Sequence, residues 1–196
     1  METYPHQKTT NPAPIGQRQR LAMVGRALTD DGIPLLTRVA AILMLLYAQP
    51  LTRILRLTVD DVLVEDGEVS IRLGDPPSPV PYPFAGLLLD HLDHRLNLTT
   101  ATNSGARWMF PGRRAGQPMA PTTLELRLRQ VGIPGLRGRT AALRQLVLQA
   151  PAPVVAKSLG YSQEQTARLA AEAGGTWARY ARGDHTRLQD RGIRDS

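Results

Sequence analysis

LYAQPLTRILRLTVDDVLVEDGEVSIRLG, residues 46–74, passes from a helix end through a turn into a short helix and then into a hairpin. Val62 and Val64 precede Asp66-Gly67, a pair suited to a two-residue turn that needs positive φ at both positions. Val69, Ile71 and Leu73 then alternate in the way of a half-buried strand. The following DPPSPVPYPF admits at most an edge strand near Val80–Tyr82, because proline cannot donate to a ladder.

On the amino-terminal side, PLLTRVAAILMLLY is apolar on nearly every face and reads as the central core helix, with Pro34 suiting its first turn. Before it, QRQRLAMVGRAL places Leu21, Met23, Val24 and Leu28 on an apolar face with arginines opposite, and Asp30, Asp31 and Gly32 break the run. On the carboxyl-terminal side, FAGLLLDHLDHRL is an amphipathic helix. RWMFPGRRAGQPM holds a short strand-like piece and an Arg/Gly turn. TTLELRLRQVGI is helical, with Thr122 or Thr123 suited to cap it. From Thr140 three helical pieces follow, TAALRQLVLQ, APVVAKSLG and SQEQTARLAAEAGG, and then a short TWARYA. The expected fold class is α+β and mainly helical, with one small antiparallel hairpin sheet near residues 60–83. Residues 1–16 are expected to be a disordered lead-in, 17–182 the folded unit and 183–196 a charged tail.

The chain has 196 residues, of which 42% are hydrophobic and 21% charged, the balance of a globular domain large enough to bury a core. It has no cysteine, which excludes disulfides, thiolate metal sites and cysteine nucleophiles. The strongest apolar run, VAAILMLLYA, is too short to span a bilayer, and METYPHQKTTNPAPIG lacks a secretory apolar core. A cytoplasmic protein with no membrane contact is the expectation.

Charge carries the functional signal. Residues 1–104 hold nine Lys/Arg against eleven Asp/Glu, whereas residues 105–196 hold fifteen against six. Within 105–144 there are eight arginines and a single acid, Glu125. Codon bias accounts for arginine over lysine, but not for the concentration of acids in the first half. The asymmetry points to a polyanion, and double-stranded DNA is the expected partner.

Two constellations sharpen that expectation. PAPVVAKSLGYSQEQTARLAAEAG has the helix-turn-helix pattern: a helix Val154–Leu159, a turn Gly160–Ser162, and a second helix Gln163–Glu172. Gln163, Gln165 and Arg168 would face outward, and these side-chain types hydrogen-bond base edges or phosphates; a plain helix pair packed on the core is the alternative. Arg137, Arg139 and Arg144 form a basic group with Lys157 nearby. Arg137 and Arg139 are read as flanking a glycine in a turn, which suits phosphate gripping, against a simple solvated basic surface. Asp90, His91, Asp93 and His94 offer two metal ligands one helical turn apart with no third, so a solvated helix face is expected and no metal or cofactor. GRRAGQP lacks the Lys-Ser/Thr of a nucleotide loop.

The order of these pieces resembles the catalytic domain of the tyrosine recombinase (phage integrase) family, over roughly residues 17–182. LYAQPLTRILRLTVDDVLVEDGEVSIRLG is similar to its arginine-bearing turn and hairpin sheet, WMFPGRRAGQPM to its "F-P" strand, and RTAALRQLVLQAPAPVVAKSLGYS to its His-x-x-Arg helix and Leu-Gly-His turn. The resemblance implies DNA integration or recombination, in which a tyrosine attacks a phosphodiester while cationic side chains stabilise the phosphate, without metal or cofactor. In register, the first arginine falls on Pro50, the His-x-x-Arg pair near Gly135 and Gly138, the Leu-Gly-His histidine on Tyr161, and the nucleophile near Ala170; the hairpin has no lysine, Arg72 being its nearest cation. Two readings follow. Arg53, Arg139 and Tyr180 act as relocated catalytic groups, or the fold keeps its DNA grip without the chemistry. Tyr180 has a packing alternative, against Trp177. Members of the family carry an amino-terminal helical domain that completes the clamp around DNA, and only about 16 residues precede the first helix here. The resemblance therefore implies a fragment or a reduced form, with self-association or a partner chain as the expected source of the missing clamp. A helix-turn-helix transcriptional regulator is the alternative function, and a hairpin sheet beside the Arg139 helix is the feature that favours the recombinase fold.

Overall fold

The computed structural model describes residues 15–95 and 105–172. In chain order the elements are α1 (Gln17–Thr29), α2 (Leu35–Tyr47), α3 (Leu51–Ile54), a 3-10 turn (Val59–Asp61), β1 (Val62–Glu65), β2 (Glu68–Ile71), β3 (Ser78–Pro79), α4 (Phe84–Asp93), α5 (Pro121–Gln130), α6 (Gly135–Gln149), α7 (Ala152–Leu159) and α8, helical over 163–172. The mainly helical α+β class with one small antiparallel sheet is what the sequence predicts.

α2 is the hub. Leu36 through Leu45 are all buried, and α1, α4, α5 and α6 pack around it. Each large apolar side chain taken fully from water there stabilises the fold by about 1.5–3 kcal/mol. α1 departs from its expected facing: Leu21 is half exposed, while Arg20 turns inward and donates from Nη1 to the Leu45 carbonyl at 2.6 Å. Arg38 of α2 answers the end of α1, donating from Nε to Ala27 O (2.8 Å) and from Nη2 to Leu28 O (2.5 Å) and pairing with Asp31. Carbonyls at a helix end have no intrahelical partner, so these two arginines serve as internal caps.

The sheet has strand order β1-β2-β3, with Val62 opposite Ile71 and Val64 opposite Val69. Asp66 (φ 51°) and Gly67 (φ 80°) form the two-residue turn, both with the positive φ that Asp-Gly accommodates. Ile71, Leu73 and Val69 are buried as their alternation requires, but Val64 lies beyond the core edge and is exposed. The edge strand forms at Ser78–Pro79, just ahead of the expected Val80–Tyr82. Two isolated bridges, Thr58 with Trp108 and Pro111 with Pro118, add strand pairing outside residues 60–83.

Two local expectations are corrected. α5 starts at Pro121 with Ala120 at its N-cap, not at Thr122 or Thr123, because proline's fixed φ suits the first helical position. α6 starts at Gly135, so Arg137, Gly138 and Arg139 lie in a helix and not in a turn. Gly138 packs closely on α2: a Cβ there would sit 2.9 Å from Leu45 Cδ2.

The Asp90-His91-Asp93-His94 face is not uniformly solvated either. His91 is only 2% exposed, its Nε2–H donates to the Met109 carbonyl at 3.0 Å, and its ring lies 5.1 Å from Phe110. Among the described residues no group of acids and histidines could hold a metal. Burial lowers the His91 pKa from 6.5 to about 4. The unfolded chain therefore takes a proton that the folded chain refuses, and this stabilisation, present in full above pH 6.5, is lost as pH falls towards 4. A loss of the order of 3 kcal/mol across that window is expected. Urea unfolding at pH 7 and pH 4.5 measures it, with His91→Gln losing less; an equal acid loss in both proteins contradicts this account.

Candidate nucleic-acid interface

Where α7 meets α8, the chain is held by a dense set of backbone contacts. Gly160 caps α7 in the left-handed region (φ 66°), and the hydroxyl of Ser162 accepts the Gln165 amide to start α8. A helix, a three-residue turn and a second helix are thus present as the sequence predicts. The turn is gripped from three sides. Gln49 Nε2 donates to Leu159 O (3.2 Å). The Asp75 amide donates to Lys157 O (3.0 Å), and Ser78 Oγ to Ser158 O (3.3 Å). Hydrogen bonds from the loop closing the sheet therefore reach α7, the helix after the one that carries Arg139.

Arg53 sits in the middle of this node. Its Nη1 donates to Leu159 O (2.7 Å) and Gly160 O (2.8 Å), and its Nη2 to Leu73 O (2.7 Å). One guanidinium thereby ties α3, the strand exit and the α7–α8 turn together. Tyr161 lies beside it, half-buried, with its hydroxyl donating to Ala48 O. Burial raises the Tyr161 pKa, and the nearby Arg139 and Arg53 charges oppose the rise. Arg53, bonded to the Gly160 carbonyl, and Tyr161 are therefore neighbours. Tyr161 stands in the sequence only where the resemblance expects an imidazole, and the node it closes has no local sequence signal.

The remaining expected contacts spread over α6, α7 and α8. Arg137 is exposed at the start of α6. Arg139 and Arg144 are half-buried, and the Nε of each is enclosed without a hydrogen-bond partner. Lys157 is exposed and pairs with Asp75 at 3.2 Å, a solvent-exposed pair of small net strength. On α8, Gln163 and Arg168 face outward, Arg168 within 3.8 Å of Glu172, whereas Gln165 is half-buried. Thr166 is fully buried on the opposite side, which fixes the facing of α8. Tyr180 and Trp177 lie outside the described residues.

Not every basic side chain is available. Arg107 forms a two-point pair with Asp60, and the bond from Arg107 holds the Asp60 carboxyl below its ordinary pKa. Arg95 donates to the carbonyls of Leu92, Ala106 and Trp108. Arg113, Arg114 and Arg127 instead line an open cleft beside α5, which sequence reasoning passed over after rejecting GRRAGQP as a nucleotide loop.

No family model matches the sequence, and no curated protein matches it. Solved structures do match in three dimensions. The chain is similar to XerA recombinase (TM-score 0.60, 15% identity, 92% of this chain and 67% of that one). It is also similar to XerH site-specific recombinase bound to palindromic difH substrate in a post-cleavage complex (TM-score 0.62, 16% identity, 87% of this chain and 52% of that one). A lambda integrase dimer bound to a COC′ core site matches more loosely (TM-score 0.50, 13% identity, 83% of this chain and 49% of that one). The chain thus spans two thirds of the first and about half of the other two. All three are tyrosine recombinases, and the fold of this chain is tyrosine-recombinase-like.

Proposed function

We propose that this chain, on its tyrosine-recombinase-like fold, is a DNA-binding module of DNA integration or recombination that holds duplex DNA without cutting it. The binding unit is residues 17–182, and the grip is supplied by Arg137, Arg139, Arg144 and Lys157, with Gln163 and Arg168 of α8 towards the bases and Gln165, half-buried, behind them. The observation that carries the absence of cleavage is the position of Arg53. It is the cation nearest the first arginine register, which Pro50 occupies, and its guanidinium is engaged by three backbone carbonyls. A guanidinium bound in that way is not free to clamp a phosphate. The registers at Gly135, Gly138 and Tyr161 supply neither a second arginine nor an imidazole, and phosphoryl transfer tolerates little misplacement of charge.

A duplex selected from a random pool by the chain itself, then nicked so that the leaving strand diffuses away, tests this. A competent tyrosine is trapped on such a substrate as a covalent adduct. The expected outcome is a retained complex and no adduct in denaturing gels. An adduct that disappears in Tyr180→Phe overturns the binding-only reading and identifies the nucleophile. Failure of the pool to yield any bound duplex overturns the DNA-binding reading itself.

A further inference from the structure

We propose that the apolar groove between the hairpin sheet and the start of α4 docks a segment of a partner protein, one that brings an apolar side chain flanked by arginine or lysine. This goes beyond the DNA-binding reading and does not depend on it. The groove has a volume of about 630 Å³, and none of its lining residues belongs to α5, α6, α7 or α8. Tyr47, Val69 and Val80 form its buried floor, and Pro81 and Tyr82 its exposed rim, with Tyr82 90% exposed. Across the hairpin Val64 stands directly opposite Val69, so it shares that face of the sheet and extends the apolar surface into solvent.

The floor is held in shape before anything covers it. Tyr47 Oη donates to Pro79 O at 2.7 Å, its ring lies 6.4 Å from that of Phe84, and the Val80 amide donates to Val69 O at 2.8 Å. A preformed floor loses little conformational freedom on binding. The adjoining strand edge is unsuited to recruiting a further strand, because Pro79, Pro81 and Pro83 carry no N–H. A partner is therefore taken by its side chains, and an exposed tyrosine beside a fixed apolar floor has the composition of an interface hot spot.

Charge specifies the partner. Glu65, Asp66 and Glu68 surround the hairpin turn and are all exposed; Glu68 lines the groove, and no cation does. Among the described residues none of the three has an ion-pair partner. Glu65 and Glu68 also stand directly opposite each other in the sheet, a like-charge juxtaposition that destabilises a strand pair. An arriving cation relieves that repulsion and meets two carboxylates at once. On a chain of net charge +7, this apolar face with an acidic edge repels phosphate and complements a basic protein segment.

The full chain is presented with a displayed pool of random dodecapeptides. Enriched sequences are synthesised and titrated by fluorescence anisotropy against the native chain, Tyr82→Ala, and Glu65→Gln with Glu68→Gln. Thermal melting checks that each variant is folded, and affinity for duplex DNA is measured beside it. The expected result is enrichment of peptides with arginine or lysine next to an aromatic or aliphatic residue. Their binding is expected to weaken about 30-fold in Tyr82→Ala and about fivefold in the double variant, with the duplex affinity of Tyr82→Ala unchanged. A pool that enriches nothing, or that enriches acidic peptides or peptides indifferent to Tyr82→Ala, overturns the docking proposal and leaves the DNA-binding reading standing. Self-association of the native chain in sedimentation velocity that Tyr82→Ala abolishes gives the groove to a second copy and overturns the partner-protein role. A chain that takes the basic peptides and ignores duplex DNA supports the docking site and overturns the DNA-binding reading alone.

Discussion

Raising monovalent salt from 50 to 200 mM is expected to weaken binding to duplex DNA about 150-fold if Arg137, Arg139, Arg144 and Lys157 are the phosphate contacts. The loss arises because affinity falls with the power of the number of counterions released, about 0.9 for each phosphate neutralised. A titration across this range therefore counts the phosphate contacts. Binding indifferent to salt contradicts the role assigned to the basic half. Of the described arginines of the basic half, Arg107 is taken up by a pair with Asp60, while in the first half Arg20, Arg38, Arg53 and Arg95 all bond backbone carbonyls.

That sorting marks the boundary of what the sequence discloses. The hairpin was legible because Asp66-Gly67 is a local instruction: two residues that accept positive φ between two alternating runs. The all-round apolar character of α2 was legible for the same reason, since a helix without a polar face must be central. The α7–Gly160–α8 turn was legible from the left-handed cap that glycine favours. What was misread depends on partners distant in the chain. Gly135 and Gly138 beside Pro134 have the local look of a loop, yet they lie in α6, where Gly138 packs closely on Leu45 of α2. Arg20 was placed opposite the apolar face, yet it is buried because the end of α2 needs a donor. His91 was grouped with exposed acids, yet it is in the core because Met109 supplies an acceptor eighteen residues away. Arg53 was offered as a relocated catalytic cation by its spacing from Pro50. Spacing reports where a side chain starts, and three carbonyls from residues 73, 159 and 160 determine where this one ends.

Because the node around Arg53 joins four segments through backbone contacts, it is also where the fold is least tolerant. A Cβ at Gly74 would overlap the Lys157 carbonyl oxygen and lie 2.7 Å from the Gly160 amide nitrogen. Both are backbone atoms, so neither can rotate away, and relief requires the strand exit to separate from α7. That separation breaks the Asp75–Lys157 bond and removes the Leu73 carbonyl from Arg53. Gly74→Ala is therefore expected to cost about 4 kcal/mol or more, in the range reserved for specific structural failures. At roughly 2–4 °C per kcal/mol for a chain of this length, the melting temperature falls by about 8–16 °C. Gly86 supplies the matched control: it is exposed within α4, and a Cβ there meets nothing within 4 Å. Gly86→Ala is expected to stabilise by about 0.5–1 kcal/mol, because alanine loses less conformational freedom on entering a helix. The two substitutions are chemically identical, and thermal unfolding of both should give shifts of opposite sign. Arg53→Ala is expected to fall between them in magnitude but on the destabilising side, about 3 kcal/mol, from the loss of charge-assisted bonds to three carbonyls. If Arg53→Ala melts like the native protein, its guanidinium is not a structural tie, and the case for a relocated catalytic cation reopens.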